Sequence, residues 1–203
     1  MKLICIGRNY AQHIEELKND KPTEPVVFLK PDSAILPKNH PFYIPAFSDD
    51  IHYEVEILIK INRLGKHIAP KFAHKYYDEI GLGIDFTARD VQKELKAKGL
   101  PWEKAKAFDG SAIIGQFIPK TTFNDLKNIS FSLIKNEEIV QNGNTKNMLW
   151  HFDELIAYVS TFMTLKIGDI LFTGTPAGVG KVIPEDKLVG KIESQTFFEI
   201  NIK

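Results

Sequence analysis

Two glutamates two positions apart are the first feature of this sequence that could support chemistry. Glu54 and Glu56 lie in His52–Ile61, where alternating apolar residues predict a strand. Residues i and i+2 of a strand point to the same face, so we expect the two carboxylates to lie side by side. Adjacent carboxylates repel, and burying them is costly without a cation. The pair therefore predicts a metal site, with a solvated strand face as the alternative.

A third acid, Asp85, lies in an apolar and glycine-bearing segment, Ile80–Phe86, that is also predicted to be a strand. Acidic side chains are seldom fully buried unless they are paired or bind a metal. Together with Glu54 and Glu56, Asp85 would offer oxygen ligands to a hard cation such as Mg²⁺, with positions left for water or substrate. The alternative is that Asp85 pairs with a lysine.

Candidates for proton transfer are a histidine near a carboxylate and one lysine. His13 and Glu16 are three residues apart on a short predicted helix, Ala11–Lys18, and so share a face. A histidine oriented by a carboxylate can deprotonate water. Lys106 lies between small and aromatic residues, where partial desolvation would give it a pKa suited to proton transfer. A coincidental surface pair and an ordinary lysine are the alternatives.

The glycine-rich segment Gly174–Gly180 follows a predicted strand. It does not fit a phosphate-binding loop, because Val182 stands where a serine or threonine should follow Lys181. We expect a tight loop in which Thr175 offers its hydroxyl and amide to a small anion. A simple turn between strands is the alternative.

The composition argues against several classes of function. The 203 residues include 26 lysines and arginines and 26 aspartates and glutamates, so the chain offers no electrostatic footprint for nucleic acid or an anionic membrane. No apolar run approaches the ~20 residues that a membrane span needs. The single cysteine, Cys5, excludes an internal disulfide and is expected to be a small buried hydrophobe. We therefore expect one soluble, cytoplasmic domain over residues 1–203.

Predicted strands outnumber predicted helices and do not alternate regularly with them, which favours an α+β fold. The other predicted strands are Leu3–Ile6, Val26–Lys30, Ser130–Lys135, Ile139–Gln141, Asp169–Thr173 and Thr196–Ile202. The other predicted helices are Pro70–Glu79, a helix that opens at Thr87 and ends at Gly99, and Asp153–Leu165. Thr87 and Asp90 resemble a capping box at the start of the second of these helices.

Several blocks follow one another along the chain, and their order is highly specific. They are Gly7-Arg8-Asn9-Tyr10-Ala11-x-His13, Phe28-Leu29-Lys30-Pro31, Glu54-x-Glu56, Asp85-x-Thr87-x-Arg89-Asp90-x-Gln92, Gly99-Leu100-Pro101-Trp102-x-x-Ala105-Lys106 and Gly168-Asp169-x-x-x-Thr173-Gly174-Thr175-Pro176-x-Gly178-Val179-Gly180. In this order they strongly resemble the fumarylacetoacetate hydrolase family, close to its short acylpyruvase branch. The resemblance runs from Met1 nearly to the C-terminus.

The resemblance implies a fold and a set of residue roles. The fold would be a mixed β-sandwich roll with peripheral helices and a short N-terminal lid helix, usually in a homodimer. The implied roles are metal ligands for Glu54, Glu56 and Asp85; a water-activating pair for His13 and Glu16; a lysine beside the metal for Lys106; and substrate binding for Arg89, Gln92 and Thr175. The metal would be Mg²⁺ or Mn²⁺, with Ca²⁺ in crystals.

The resemblance also implies a reaction on a small 2-keto acid. Ranked first is Mg²⁺-dependent hydrolysis of the C3–C4 bond of 3-acylpyruvates, such as acetylpyruvate or fumarylpyruvate, to pyruvate and a carboxylic acid. The presence of both His13 and Glu16 gives hydrolysis this rank, because a water-activating pair serves it directly. The alternatives are oxaloacetate decarboxylation or keto–enol tautomerisation, isomerisation of 2-hydroxyhepta-2,4-diene-1,7-dioate, and a non-catalytic metal-binding member of the fold.

Overall fold

The computed structural model describes residues 1–16 and 20–203. Within these ranges the strands are β1 Lys2–Gly7, β2 Val26–Pro31, β3 Ile51–Tyr53, β4 Val55–Ile61, β5 Tyr77–Asp85, β6 Thr87–Ala88, β7 Ala112–Pro119, β8 Ser130–Lys135, β9 Glu138–Asn144, β10 Ile170–Phe172, β11 Gly180–Lys181, β12 Lys187–Ile192 and β13 Gln195–Asn201. The helices are α1 Ala11–Glu16, α2 Pro70–Ala73, α3 Arg89–Ala97, α4 Glu103–Lys106 and α5 Phe152–Phe162.

The largest sheet has six strands in the order β2-β1-β10-β4-β5-β7. Strands β1 and β10 run parallel, and every other neighbouring pair in this sheet is antiparallel. The central strand β4 is buried on both faces, which explains why its sequence is so rich in β-branched residues.

A second sheet, of four strands in the order β13-β12-β8-β9, packs against the first. Between them lies an apolar core that includes Ile57 and Ile84 of the large sheet and Phe131, Leu133 and Ile192 of the smaller one. A short third sheet, β11-β3-β6, adjoins them. The helices are few and short, so the α+β prediction is confirmed.

Two of the predicted elements differ from the structure by more than their end residues. The helix predicted over Pro70–Glu79 ends at Ala73, and the chain from Tyr77 forms β5 instead, where it pairs with the end of β4. The strand predicted over His52–Ile61 is interrupted at Glu54, because β3 joins the small third sheet while β4 joins the large one. The interruption places Glu54 at a junction between sheets.

The capping box predicted for Thr87 and Asp90 is also wrong. Helix α3 begins after Ala88, and no side chain caps it. Thr87 belongs to β6, and its hydroxyl accepts a hydrogen bond from Lys106 Nζ. Asp90 Oδ1 instead accepts a hydrogen bond from the Ser48 hydroxyl (2.6 Å). Thr87 and Asp90 therefore bond to Lys106 and Ser48 instead of capping helix α3.

Strands β6, β7, β11 and β12 are absent from the sequence-based prediction, and helix α5 is shorter than predicted. The predicted N-terminal helix begins at Ala11 as expected and is described to Glu16, while Leu17 and Lys18 lie outside the described residues. Among the described helices, none is long and apolar enough to span a membrane.

Candidate functional site

Three buried carboxylates meet where β4 begins and β5 ends. The two strands are antiparallel neighbours, and the Asp85 amide donates to the Glu54 carbonyl (2.9 Å), which holds the two positions together. Ligand oxygens of Glu54, Glu56 and Asp85 all lie within 4.8 Å of one another. Their exposed fractions are 4%, 2% and 1%. The alternative of a solvated strand face is therefore wrong, and the cluster could hold a metal ion.

Lys106, at the end of α4, contacts two of the three carboxylates. Its Nζ donates to Glu54 Oε2 (2.7 Å), Asp85 Oδ2 (2.6 Å) and Thr87 Oγ1 (2.6 Å). Burial lowers the pKa of Lys106, but the charges of Asp85 and Glu54 outweigh burial and leave the pKa raised. Lys106 is therefore a fixed positive charge at neutral pH, and the expectation that desolvation would bring its pKa into the range for proton transfer is wrong. The lysine pairing considered for Asp85 is present.

Lys30 is a second buried lysine at the site, which the sequence reasoning missed. It is fully buried in β2, and its Nζ lies 2.8 Å from Asp85 Oδ1. Its hydrogen bonds go elsewhere, among them to the carbonyl (3.1 Å) and hydroxyl (2.9 Å) of Ser111. Asp85 Oδ1 accepts no hydrogen bond from the described residues, so the Lys30–Asp85 contact is an ion pair. A lysine within an apolar strand was the signal available.

The three carboxylates differ in their electrostatic balance. Burial raises the pKa of Glu54, but Lys106 and Arg89 outweigh burial and lower the pKa below its usual range. Burial raises the pKa of Glu56 strongly, and the negative charges of Asp85 and Glu54 raise it further. Among the described residues, the Glu56 carboxylate accepts one hydrogen bond, from the Gly174 amide (2.7 Å).

Glu56 is therefore the carboxylate whose negative charge the protein leaves least compensated. A divalent cation bound between Glu54, Glu56 and Asp85 would supply the positive charge that this position needs, and oxygen ligands suit a hard cation. The residues present fit a metal of this kind.

The predicted pair of His13 and Glu16 is formed on α1. His13 Nδ1 lies 3.1 Å from Glu16 Oε2, and Glu16 Oε1 accepts from the Gly178 amide (3.0 Å). His13 lines the same cavity as the carboxylates. Burial lowers the pKa of His13, although Glu54 and Glu16 act in the opposite direction. His13 is therefore neutral at neutral pH and is oriented by the glycine-rich loop through Glu16.

The residues predicted to bind substrate line the cavity as well. Arg89, at the start of α3, donates to Glu54 Oε1 and to Gln92 Oε1 (2.6 Å). Thr175 follows Gly174, whose φ of +96° and close approach to Asn9 need a residue without a Cβ. All three side chains, Arg89, Gln92 and Thr175, line the cavity that holds the carboxylates.

Gln141 is a buried residue of β9 that the sequence reasoning did not assign to the site. Its Oε1 accepts from the Val55 amide (2.9 Å), which fixes the orientation of the side-chain amide. Its Nε2 donates to Thr175 Oγ1 (2.9 Å) and to the Pro176 carbonyl (3.0 Å). Since Thr175 Oγ1 accepts this bond, the Thr175 hydroxyl proton is left to point to another acceptor, such as an oxygen in the cavity.

The mixed sheets and the buried acidic cluster define an α+β protein with a candidate metal centre at one end of its large sheet. Residues 2–200 match the family model described as fumarylacetoacetate (FAA) hydrolase C-terminal. The chain belongs to this family, whose members are enzymes.

Similar proteins carry more than one activity in their names. Oxaloacetate tautomerase YcgM of Escherichia coli is 42% identical over 188 residues, covering 92% of this chain and 86% of that protein. A mitochondrial oxaloacetate decarboxylase of Dictyostelium discoideum is 45% identical over 184 residues, covering 90% of this chain and 84% of that protein. The crystal structure of fumarylpyruvate hydrolase from Pseudomonas aeruginosa, in complex with Mn²⁺ and pyruvate, is 32% identical, with a TM-score of 0.93 over 100% of this chain and 89% of that one.

The family and fold expected from the sequence are thus confirmed. The relatives support the oxaloacetate alternatives better than acylpyruvate hydrolysis, which the sequence analysis ranks first. The structure brings all the predicted site residues to one region, but their individual roles stay predictions.

Proposed function

We propose that this chain is a metal-dependent oxaloacetate tautomerase, which interconverts the keto and enol forms of oxaloacetate. The observation that carries the proposal is a buried carboxylate cluster with a positively charged lysine bonded to two of its members, in a chain 42% identical to an oxaloacetate tautomerase. Enolisation needs stabilised negative charge on the keto oxygen and a base near C3, and the cavity contains candidates for both.

In this proposal Glu54, Glu56 and Asp85 hold Mg²⁺ or Mn²⁺. When bound, the cation supplies Lewis acidity, which lowers the cost of negative charge on the C2 oxygen. Lys106 adds a fixed positive charge to the same region, and it cannot turn away because it donates to three fixed oxygens. Arg89, Gln92 and the Thr175 hydroxyl hold the substrate oxygens.

His13 is the proposed base. With Nδ1–H donating to Glu16, Nε2 presents its lone pair, and the lowered pKa keeps the ring neutral and able to accept a proton. The proton that C3 loses is held at Nε2, and the C2 oxygen takes up a proton from water. The water that supplies this proton becomes hydroxide, and the His13 imidazolium neutralises it by giving up the proton at Nε2, so each turnover leaves His13 neutral and the enzyme unchanged.

The test is the decay of enol-oxaloacetate absorbance with purified protein and Mg²⁺, with and without EDTA, and with Glu56→Ala as the metal-site control. We expect acceleration that both EDTA and Glu56→Ala abolish. Acceleration that survives EDTA, or none with metal present, contradicts the proposal.

Hydrolysis of acylpyruvates is the second candidate, and the contact between His13 and Glu16 favours it because the pair can also activate water. Its test is pyruvate release from acetylpyruvate and from oxaloacetate in parallel, corrected for metal-catalysed decay of oxaloacetate. EDTA-sensitive release from acetylpyruvate supports hydrolysis, whereas release from oxaloacetate alone supports decarboxylation.

We further propose a single catalytic domain in a cytoplasmic homodimer, which light scattering and fractionation can test.

A further inference from the structure

A buried glutamine of the smaller sheet connects two parts of the candidate site. Gln141, on β9, is 1% exposed. Its side chain bonds to Val55 at the start of β4 and to Thr175 and Pro176 of the glycine-rich loop. Gln141 is not among the described residues that line the cavity, whereas Thr175 is. An effect of Gln141 on a ligand in the cavity must therefore pass through Thr175.

The orientation of the Gln141 side-chain amide follows from its partners. The backbone amide of Val55 can only donate a hydrogen bond, and the backbone carbonyl of Pro176 can only accept one. The side-chain oxygen must therefore face Val55, and the side-chain nitrogen must face the loop. One hydrogen of this nitrogen goes to the Pro176 carbonyl (3.0 Å), and the other goes to Thr175 Oγ1 (2.9 Å). The Thr175 oxygen thus accepts from Gln141 and keeps its own proton for a different acceptor.

The loop that carries Thr175 is held at both ends by other contacts. The Gly174 amide donates to Glu56 (2.7 Å), and the Gly178 amide donates to Glu16 (3.0 Å). Gly178 also packs on β9, where an added Cβ would come within 2.4 Å of a backbone oxygen of that strand. These contacts fix the path of the loop backbone. What the glutamine of β9 decides is the direction in which the Thr175 hydroxyl donates.

We propose that Gln141 is a positioning residue, which makes the Thr175 hydroxyl a hydrogen-bond donor to a substrate oxygen in the cavity. Without the bond from Gln141, this hydroxyl is free to rotate among several acceptors, and orienting it would then cost binding free energy. The proposal rests on the proposed function, because it takes Thr175 as a residue that holds the substrate. It extends the binding machinery to the smaller sheet, which does not touch the substrate.

The test is a double-mutant cycle on Gln141 and Thr175. Gln141→Met keeps the side-chain length and removes the hydrogen bonds, Thr175→Val removes the hydroxyl, and the double variant combines them. The dissociation constant of pyruvate with Mn²⁺ present, the two ligands of the related fumarylpyruvate hydrolase structure, is measured by calorimetry. KM and kcat come from the enol-decay assay. Ser160→Ala is the matched control, because Ser160 is fully buried and its hydroxyl accepts from a backbone amide (2.8 Å) away from the cavity.

We expect Thr175→Val to weaken pyruvate binding by about 10- to 100-fold, the usual loss of a hydrogen bond to a charged group. Gln141→Met should weaken it by about 3- to 10-fold, the usual value of one neutral hydrogen bond. The double variant should bind no more weakly than Thr175→Val, because Gln141 acts through a hydroxyl that is then absent. In Gln141→Met, KM should rise while kcat and the Mn²⁺ dissociation constant change less than about twofold. Thr175→Ser and Ser160→Ala should bind pyruvate as the parent does.

Additive losses in the double variant would show that Gln141 supports the fold in general, and they would overturn the proposal. A parallel fall of kcat and Mn²⁺ affinity in Gln141→Met would also overturn it, because the whole loop and the β4 strand would then be disturbed. Unchanged pyruvate affinity in Thr175→Val, or a parent that binds no pyruvate, would leave Gln141 nothing to act through. If Gln141→Met does not fold, Gln141→Glu takes its place in the cycle above the pKa of the new carboxyl group, since its carboxylate still accepts from Val55 but cannot donate to Thr175.

The calorimetric measurements do not need turnover, so they separate this proposal from the proposed function. A non-additive cycle in a protein without tautomerase activity would reject the proposed function and keep the role of Gln141. Tautomerase activity together with an additive cycle would keep the function and reject that role.

Discussion

At the start of strand β4 both faces are buried, but they differ in chemistry. On one face Val55, Ile57 and Ile59 pack into the apolar core between the two large sheets. On the other face Glu56 points to the site, followed by Leu58 in a smaller apolar cluster. Burial stabilises the fold on the first face, because apolar area leaves water. Burial of Glu56 opposes folding until a positive charge is bound.

Burial alone therefore does not distinguish a structural position from a functional one. Ile57 and Glu56 are adjacent in sequence and differ by only two per cent in exposed fraction. They differ in their surroundings, because Ile57 packs against apolar side chains while the negative charge of Glu56 lacks enough positive charge nearby. Substitutions at or near these positions should therefore separate stability from metal binding and activity.

The largest effect is expected from Glu56→Ala. It removes a predicted ligand, so Mg²⁺ binding and activity should both be lost, whereas the melting temperature of the metal-free protein should stay unchanged or rise because a poorly compensated buried charge is gone. Calorimetric metal titration and thermal unfolding in EDTA check this. Ile57→Ala is the matched change on the other face, with a cost of about 2–5 kcal/mol in stability and retained metal stoichiometry. A large loss of metal-free stability in Glu56→Ala would contradict the comparison.

His13→Ala should reduce the rate by about 10²–10⁴-fold, because a positioned base is removed. Metal affinity should be unchanged, since His13 is not among the acidic cluster. The measurements are kcat for enol decay and Mg²⁺ titration of the same preparation. A variant with the parent rate would exclude His13 as the base.

Lys30→Met should destabilise the metal-free protein by about 3–5 kcal/mol, because it leaves Asp85 without one of its two ion-pair partners in a buried setting. Added Mg²⁺ should recover part of this loss, since the cation restores positive charge beside Asp85. Urea unfolding with and without Mg²⁺ measures both effects. Lys60→Met is a suitable control, because Lys60 forms a half-exposed pair with Glu79. Equal losses in the two variants would show that burial of the pair does not matter.

The smallest effect is expected at Cys5, which lies in the apolar cluster beside Leu58. Burial raises the pKa of its thiol well above the usual value, and the nearby Asp85 charge raises it further. The folded protein should therefore react with a thiol reagent at pH 8 far more slowly than the urea-unfolded chain, and Cys5→Ala should keep the parent activity. Rapid labelling of the folded protein would show that this cluster opens.

The strands that alternate apolar and polar residues, or are continuously apolar, were predictable from sequence, as for β1, β8 and β13. Strand β7 was missed, since Ala112–Pro119 contains both a glycine and a terminal proline that weaken the pattern. The helix predicted beyond Ala73 was wrong because pairing of Tyr77 with Ile61 overrides local preference.

The metal ligands could be proposed because two carboxylates at i and i+2 and an acid in an apolar strand are locally visible. Lys30 and Gln141 were not assigned, because their importance depends on partners 81 and 34 residues away in Ser111 and Thr175. A hydrogen bond across sheets leaves no periodic signal in the sequence.

The parallel pairing of β1 with β10 has a consequence for synthesis of the chain. Ile170 pairs with Leu3, 167 residues earlier, and β10 lies between β1 and β4 in the large sheet. At a translation rate of about 5–20 residues per second, β1 waits roughly 8–33 s for this neighbour to be made. During that time the backbone N–H and C=O groups at the facing edges of β1 and β4 are unpaired. Unpaired strand edges make a chain prone to aggregation. A nascent chain stalled before residue 170 should therefore depend on chaperones more than one released after it.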